Sequence, residues 1–92
     1  MNKISVMMVD DHTLVRAGIR FLLQKIPGVQ VVAEANDGRM AMGLIEKYKP
    51  DLILMDIEMP GFNGLDVTAR ITEAYPNSRV VILSGSPNEE AS

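Results

Sequence analysis

Four short apolar runs recur along the chain, and longer segments with apolar residues at three- and four-residue steps separate them. Each run is rich in Val, Ile, Leu or Met and lacks alternating polar residues, which is typical of strands buried on both faces of a parallel sheet. The runs are Ile4–Val9, Val29–Ala33, Leu52–Met55 and Val80–Leu83. The order β-α-β-α-β-α-β predicts an α/β fold, in which right-handed crossovers place helices on both faces of the sheet.

Turn residues mark where the three predicted helices end. Pro27-Gly28 ends the first helix, the second ends near Pro50, and the third runs from about Gly64 to Ala74. The residues expected to face the sheet from the first helix are Val15, Gly18, Ile19, Leu22 and Ile26. Those expected from the second are Met40, Ala41, Leu44, Ile45 and Tyr48, and those from the third are Leu65, Ala69 and Ile71–Thr72. Glycine within a helix costs about 1 kcal/mol against alanine, so Gly18 suggests a close approach of helix and sheet.

Acidic residues follow two of the predicted strands. Asp10 and Asp11 come directly after the first strand, and Asp56 comes after the third. Functional groups gather at the carboxyl ends of parallel strands, so three carboxylates converge if these strands are neighbours. Such carboxylates repel one another unless a cation neutralises them, and oxygen-only ligands with no histidine or cysteine suit Mg²⁺ before Ca²⁺ or Zn²⁺. The alternative is that Asp10-Asp11 only caps a helix, but the third acid argues against it.

His12 is the only histidine of the chain and follows the acidic pair. The sequence has no other histidine and no cysteine that could serve as a second nitrogen or sulfur ligand. His12 is therefore more typical of a residue that begins a helix than of a metal ligand.

Three motifs resemble the receiver domains of two-component response regulators, in the same order and with the same gaps over the whole chain. They are Val9-Asp10-Asp11-His12, then Leu54-Met55-Asp56-Ile57-Glu58-Met59-Pro60-Gly61 with Gly64, then Val81-Ile82-Leu83-Ser84-Gly85. The stretch from Asp11 to Gly18 is similar in particular to the NarL/FixJ subfamily, whose members usually carry a C-terminal helix-turn-helix of the LuxR type. The resemblance implies a flavodoxin-like, doubly wound parallel sheet with strand order 2-1-3-4.

The resemblance also implies a role for each site residue. Asp56 would accept a phosphoryl group from a sensor histidine kinase, by chemistry that depends on positioning and charge neutralisation. Asp11 and Asp56 would bind Mg²⁺ directly, Asp10 would do so directly or through water, and the backbone carbonyl of Glu58 would complete the protein ligands. The Ser84 hydroxyl would move to bind the phosphoryl group and switch the domain.

The chain departs from the family at its C-terminal end. Receivers have five βα units, whereas residues 1–92 lack the fifth unit, the family's phosphate-binding lysine and any output domain. We therefore expect an incomplete receiver with weak or absent phosphorylation. We also expect Val80–Leu83 to be an exposed edge that self-associates by strand pairing or exchange of elements.

Two other functions stay open from the residues alone. One is an interaction or dimerisation module that works without phosphorylation. The other is a Mg²⁺-dependent, phosphatase-like hydrolase, although the adjacent Asp10-Asp11 differs from the Asp-x-Asp of haloacid-dehalogenase-type phosphatases.

Composition and charge limit the number of domains, the binding partners and the location that we expect. The 92 residues suffice for one domain, and the net charge of −3 comes with no basic cluster, so we expect no direct nucleic-acid binding by this segment. No apolar run is long enough to span a membrane, and the absence of cysteine fits a reducing compartment. The prediction is a cytoplasmic protein that is not bound to a membrane.

Overall fold

Strands and helices alternate in the computed structural model, which describes residues 3–57, 59 and 63–83. In chain order the elements are β1 Ile4–Val9, α1 Thr13–Leu23, β2 Val29–Ala35, α2 Gly38–Tyr48, β3 Leu52–Asp56, α3 Gly64–Ala74 and β4 Arg79–Leu83. The predicted order is confirmed, although β2 continues to Ala35 and so contains Glu34, which the sequence placed beyond the strand.

The sheet has the order β2-β1-β3-β4, and every neighbouring pair is parallel. This confirms the predicted flavodoxin-like order 2-1-3-4. In the register, Val9 of β1 lies opposite both Ala35 of β2 and Met55 of β3. The carboxyl ends of β1 and β3 therefore reach the same level, which places Asp10 beside Asp56.

Side-chain caps fix where two of the helices begin. The Asp37 carboxylate accepts a hydrogen bond from the Met40 backbone N–H at 2.7 Å and begins α2. The Asn63 side chain accepts one from the Asp66 N–H at 3.0 Å and begins α3. These bonds satisfy backbone donors that have no partner within the helix.

One side of the sheet is closed by α2 and α3, and we call it the closed face. Its strand residues alternate along β1 and β3, as the two-residue period of a strand requires. The fully buried residues that meet there are Met7, Val9, Ile53 and Met55 from the strands, Ala41 and Ile45 from α2, and Ile71 from α3. Burial of this continuous apolar cluster is the main source of stability for the described residues.

The other side is less completely covered, and we call it the open face. Met8 is buried there, but Leu54 and Leu83 are only half-buried beside Ile19 of α1. No residue of α1 is buried. The prediction that Val15, Leu22 and Ile26 face the sheet is wrong, since all three are exposed. The half-buried side of α1 instead carries Arg16, Ala17, Ile19, Arg20 and Leu23.

Three further expectations about helix packing are wrong. A Cβ added at Gly18 would meet nothing within 4 Å, so no close approach explains this glycine. Leu65, Ala69 and Thr72 are exposed, because α3 is rotated so that Gly64 and Ile71 face inward. Met40 and Tyr48 of α2 are also largely exposed, whereas Ala41 and Ile45 pack as expected.

None of the helices within the described ranges is long and apolar enough to cross a bilayer. The cytoplasmic location stays a prediction.

Candidate functional site: an acidic pocket at the carboxyl ends of β1 and β3

Three carboxylates converge where the register of β1 and β3 brings their ends together. Asp10 and Asp56 are buried, with 6% and 3% of their surface exposed, and Asp11 is more accessible. One ligand atom from each of these acids and one from His12 all lie within 4.8 Å of one another. The predicted convergence of Asp10, Asp11 and Asp56 is therefore confirmed, and we call this cluster the acidic pocket.

The loop between β1 and α1 is held by its own backbone. The Asp10 N–H donates to the carbonyl of Ala35 at 3.0 Å, which continues the sheet by one residue. The Asp10 carboxylate accepts the His12 N–H at 2.8 Å, so it holds the loop just before α1. His12 occupies the N-cap position without a side-chain cap. Capping of α1 by the acidic pair is thus not what the structure shows.

A polar network on the open face ties the same loop to α1 and β2. The Arg16 guanidinium donates to the Asp10 carbonyl oxygen and, at 2.9 Å, to the Glu34 carboxylate. Arg20 donates to the same carboxylate at 2.7 Å. Charge-assisted hydrogen bonds of this kind are about twice as strong as neutral ones, so the network fixes the backbone next to the acidic pocket. The sequence did not predict this network, because the second apolar run ends at Ala33 and Glu34 was expected to follow the strand.

The His12 imidazole lies among the three carboxylates. Its Nδ1 is 2.7 Å from Asp10 Oδ1, 3.2 Å from Asp11 Oδ1 and 3.3 Å from Asp56 Oδ2. The hydrogen bond to Asp10 raises the pKa of His12 above its ordinary value, and the nearby negative charges raise it further against a lowering by desolvation. As predicted, His12 begins a helix, but its ring also enters the acidic pocket.

The chain after Asp56 is held by close packing against α3. A Cβ at Gly64 would lie 2.8 Å from the Ile57 Cα, a separation that real side chains do not adopt. Met59 is buried in the core. The predicted metal-ligating carbonyl of Glu58 and the predicted switch hydroxyl of Ser84 fall outside the described residues, and both stay predictions.

The donor set fits a hard dication. Carboxylate oxygens from Asp10, Asp11 and Asp56 are the ligands that Mg²⁺ prefers, and Mg²⁺ is often held by only one or two of them. The charge of a dication would offset the repulsion among acids that stand this close.

Comparison with known proteins agrees with this description. The model of the response regulator receiver domain family matches residues 6–92. The transcriptional regulatory protein DegU of Brevibacillus brevis is 46% identical over 83 residues, which are 90% of this chain and 35% of DegU. The nitrate/nitrite response regulator protein NarL of Escherichia coli is 38% identical over 86 residues, which are 94% of this chain and 40% of NarL.

Solved structures show the same fold. The signal receiver domain of the response regulator NarL from Mycobacterium tuberculosis superposes with a TM-score of 0.86 at 37% identity, over 99% of this chain and 73% of that one. The isolated receiver domain of RcsB from Salmonella enterica, determined with the phosphomimetic BeF3−, gives a TM-score of 0.86 at 29% identity, over 95% of this chain and 65% of that one.

The fold and the acidic pocket define a receiver-type signalling domain rather than a conventional enzyme. The chain belongs to the response regulator receiver domain family, and its relatives are regulators of the NarL/FixJ type. It spans about 35% to 40% of the length of these curated relatives.

Proposed function

We propose that this chain is the phosphoacceptor module of a transcriptional regulator and that Asp56 accepts the phosphoryl group from a sensor histidine kinase. The observation that carries the proposal is the position of Asp56 in the acidic pocket. Its carboxylate is buried at the end of β3, and Oδ2 lies 3.3 Å from Nδ1 of the half-exposed His12 ring. Membership of the receiver family supports the same assignment.

The transfer step needs little covalent work from the protein. A carboxylate oxygen of Asp56 attacks the phosphorus of the kinase phosphohistidine, and an acyl phosphate bond forms. The phosphorus–nitrogen bond breaks, its electron pair returns to the donor imidazole, and that nitrogen takes up a proton from water. Positioning and charge neutralisation lower the barrier.

Asp11 and Asp56 are the residues that would hold Mg²⁺ directly, with Asp10 direct or water-bridged and the Glu58 carbonyl as a further ligand. When bound, the ion supplies neutralisation of the charge that builds up on the phosphoryl oxygens. Asp10, fixed by the Ala35 carbonyl and by the His12 N–H, keeps the pocket in shape.

Incubation with acetyl phosphate tests the proposal without a cognate kinase. The intact mass of the chain should rise slowly by one phosphoryl group with Mg²⁺ and should not rise with EDTA. Asp56→Asn should remove the adduct. Asp66→Asn, an exposed acid on α3, is the matched control and should keep it.

Each outcome decides between functions. An adduct that persists in Asp56→Asn, or no adduct in wild-type chain that still binds Mg²⁺, contradicts the assignment. Continuous turnover of phosphoesters would favour the hydrolase, which the family match does not favour. Dimerisation with no adduct would favour the interaction module.

We also infer that the 92-residue chain self-associates through β4. Within the described ranges β4 lies at the edge of the sheet and pairs only with β3. Val81 and Ile82 are exposed apolar residues on this edge. Unpaired backbone groups beside apolar side chains favour strand addition from a second copy.

Light scattering over a range of protein concentrations tests this inference. We expect a concentration-dependent dimer or larger species that Val81→Lys reduces, since charge blunts an edge strand. Leu65→Lys on α3 is the control and should leave association unchanged. A monomer at every concentration contradicts the inference of self-association.

Direct nucleic-acid binding by this segment is not expected.

A further inference from the structure

The His12 ring closes the solvent side of the acidic pocket with a nitrogen that faces inward. Nδ1 is 2.7, 3.2 and 3.3 Å from oxygens of Asp10, Asp11 and Asp56. The side chain of His12 is 54% exposed, whereas those of Asp10 and Asp56 are 9% and 5% exposed. A single ring nitrogen therefore lies within 3.3 Å of three acids, two that follow β1 and one that ends β3.

The backbone holds the ring in this place. The His12 N–H is bound by the Asp10 carboxylate at 2.8 Å, and the His12 carbonyl accepts the Arg16 N–H at 2.9 Å as the first bond of α1. The Arg16 guanidinium also donates to the Asp10 carbonyl. Only the two side-chain torsions of His12 remain, so little conformational freedom is lost when the ring binds a ligand.

The separations match those between ligands of one ion. Metal–nitrogen and metal–oxygen bonds of about 2.0–2.2 Å place neighbouring ligands about 3–3.5 Å apart. Two of the three Nδ1–oxygen distances fall in this range, and the shortest is a hydrogen bond that would lengthen by a few tenths of an ångström.

A nitrogen changes which ions the pocket prefers. Mg²⁺ is a hard ion that gains little from imidazole, whereas affinity for first-row transition dications rises toward Ni²⁺ and Cu²⁺ at sites that include imidazole. Carboxylate oxygens alone suit Mg²⁺ and Mn²⁺, and an imidazole ligand adds affinity for Zn²⁺, Ni²⁺ and Cu²⁺.

We propose that His12 is a direct nitrogen ligand, through Nδ1, to a first-row transition-metal dication held by Asp11 and Asp56. On metal binding, Nδ1 releases to water the proton that it donates to Asp10, the ring keeps its proton on Nε2, and the freed lone pair of Nδ1 binds the metal. The acidic pocket then accepts two chemical classes of ion, Mg²⁺ on its oxygens alone and transition metals on oxygens plus His12. This inference rests on the proposed divalent site.

Calorimetric titration with Ni²⁺ and with Mg²⁺ tests the proposal, because both ions favour octahedral coordination and differ in their affinity for nitrogen. The untagged chain has no other histidine. His12→Asn offers an oxygen in place of the nitrogen, and His12→Phe keeps a ring with no donor. Since loss of an outer-shell partner alone costs about 10–100-fold in affinity, both variants should weaken Ni²⁺ binding about tenfold or more. Mg²⁺ binding should change less than about threefold.

The ¹⁵N chemical shift of Nδ1 provides a second readout. This shift should change when Zn²⁺ saturates the site, whereas Mg²⁺ should leave it near its metal-free value.

Unchanged Ni²⁺ affinity in both variants, or an equal loss for Ni²⁺ and Mg²⁺, overturns the proposal. Asp11→Asn and Asp56→Asn separate this failure from failure of the proposed function. If they abolish Mg²⁺ binding while His12 variants change nothing, only the role of His12 is wrong. If neither acid affects any ion, the divalent site itself is wrong.

Discussion

The closed and open faces of the sheet hold the two halves of the acidic pocket by different forces. Asp56 ends β3 directly after Met55, which is fully buried on the closed face, and Ile57 packs closely against Gly64 of α3. On the open face, the loop with Asp10 and Asp11 is held by Arg16 and its hydrogen bonds. Asp56 is thus positioned by apolar packing, and the loop with Asp10 and Asp11 is positioned by charged hydrogen bonds. The two halves should therefore respond differently to cavities, to salt and to pH.

The largest difference is expected from removing apolar volume. Ile45→Ala on α2 empties part of the closed face and should lower the free energy of unfolding by about 2–5 kcal/mol. Leu22→Ala on α1, where the side chain is 63% exposed, should change it by no more than about 0.5 kcal/mol. Urea denaturation measures both. A comparable loss for Leu22→Ala would show that α1 is covered in solution, and the contrast between the faces would fail.

Adding a methyl group should show the same contrast more weakly. Gly64→Ala forces a Cβ against Ile57 backbone and should destabilise the chain by about 1–3 kcal/mol. Gly18→Ala meets nothing and should stabilise it by about 0.5–1 kcal/mol through helix propensity. Thermal unfolding compares the two variants. The same sign for both changes would contradict the close packing next to Asp56.

Salt should distinguish the open face. Glu34→Gln weakens the bonds from Arg16 and Arg20 and should cost about 1 kcal/mol at low ionic strength. The difference from wild type should shrink in about 1 M NaCl, where charges are screened beyond about 3 Å. Arg70→Gln breaks only an exposed 3.7 Å pair with Asp66 and is the control, with an effect near zero. A cost for Glu34→Gln that is the same at all salt concentrations would argue for packing instead.

The smallest effect is expected from the contact between the two helices of the closed face. The Tyr75 hydroxyl donates to Glu46 at 2.6 Å, and this bond raises the pKa of Tyr75 above its ordinary 10.0. Because the folded-state pKa is raised, the stabilisation is complete below pH 10 and is lost as the pH rises through the folded pKa. The stability of wild type and Tyr75→Phe should therefore converge in alkaline buffer, and Tyr48→Phe should show no such trend. A difference in stability between wild type and Tyr75→Phe that grows as the pH rises would contradict this prediction.

The sequence predicted the parts of the molecule that depend on local pattern. Continuous apolar runs located all four strands, and breaks at Pro and Gly located the helices. The convergence of Asp10, Asp11 and Asp56 followed from strand order, because parallel strands end at one edge.

The local pattern could not predict features that depend on contacts between distant parts of the chain. Helical period groups Val15 with Leu22 on one side of α1, but which side meets the sheet depends on where the Arg16–Glu34 link holds the helix. In the same way, the position of His12 in the sequence gives its place at the start of α1. The ring faces into the acidic pocket because its Nδ1 lies 2.7 Å from the Asp10 carboxylate, a contact between side chains that the sequence pattern does not encode.

The most direct test of the account is the location of the phosphoryl group. After treatment with acetyl phosphate and Mg²⁺, borohydride reduces an aspartyl phosphate to homoserine, and peptide sequencing by mass spectrometry finds the modified residue. The account predicts homoserine at position 56 and unmodified Asp10 and Asp11. Homoserine at position 10 or 11, or none in chain that acquires the phosphoryl mass, would contradict it.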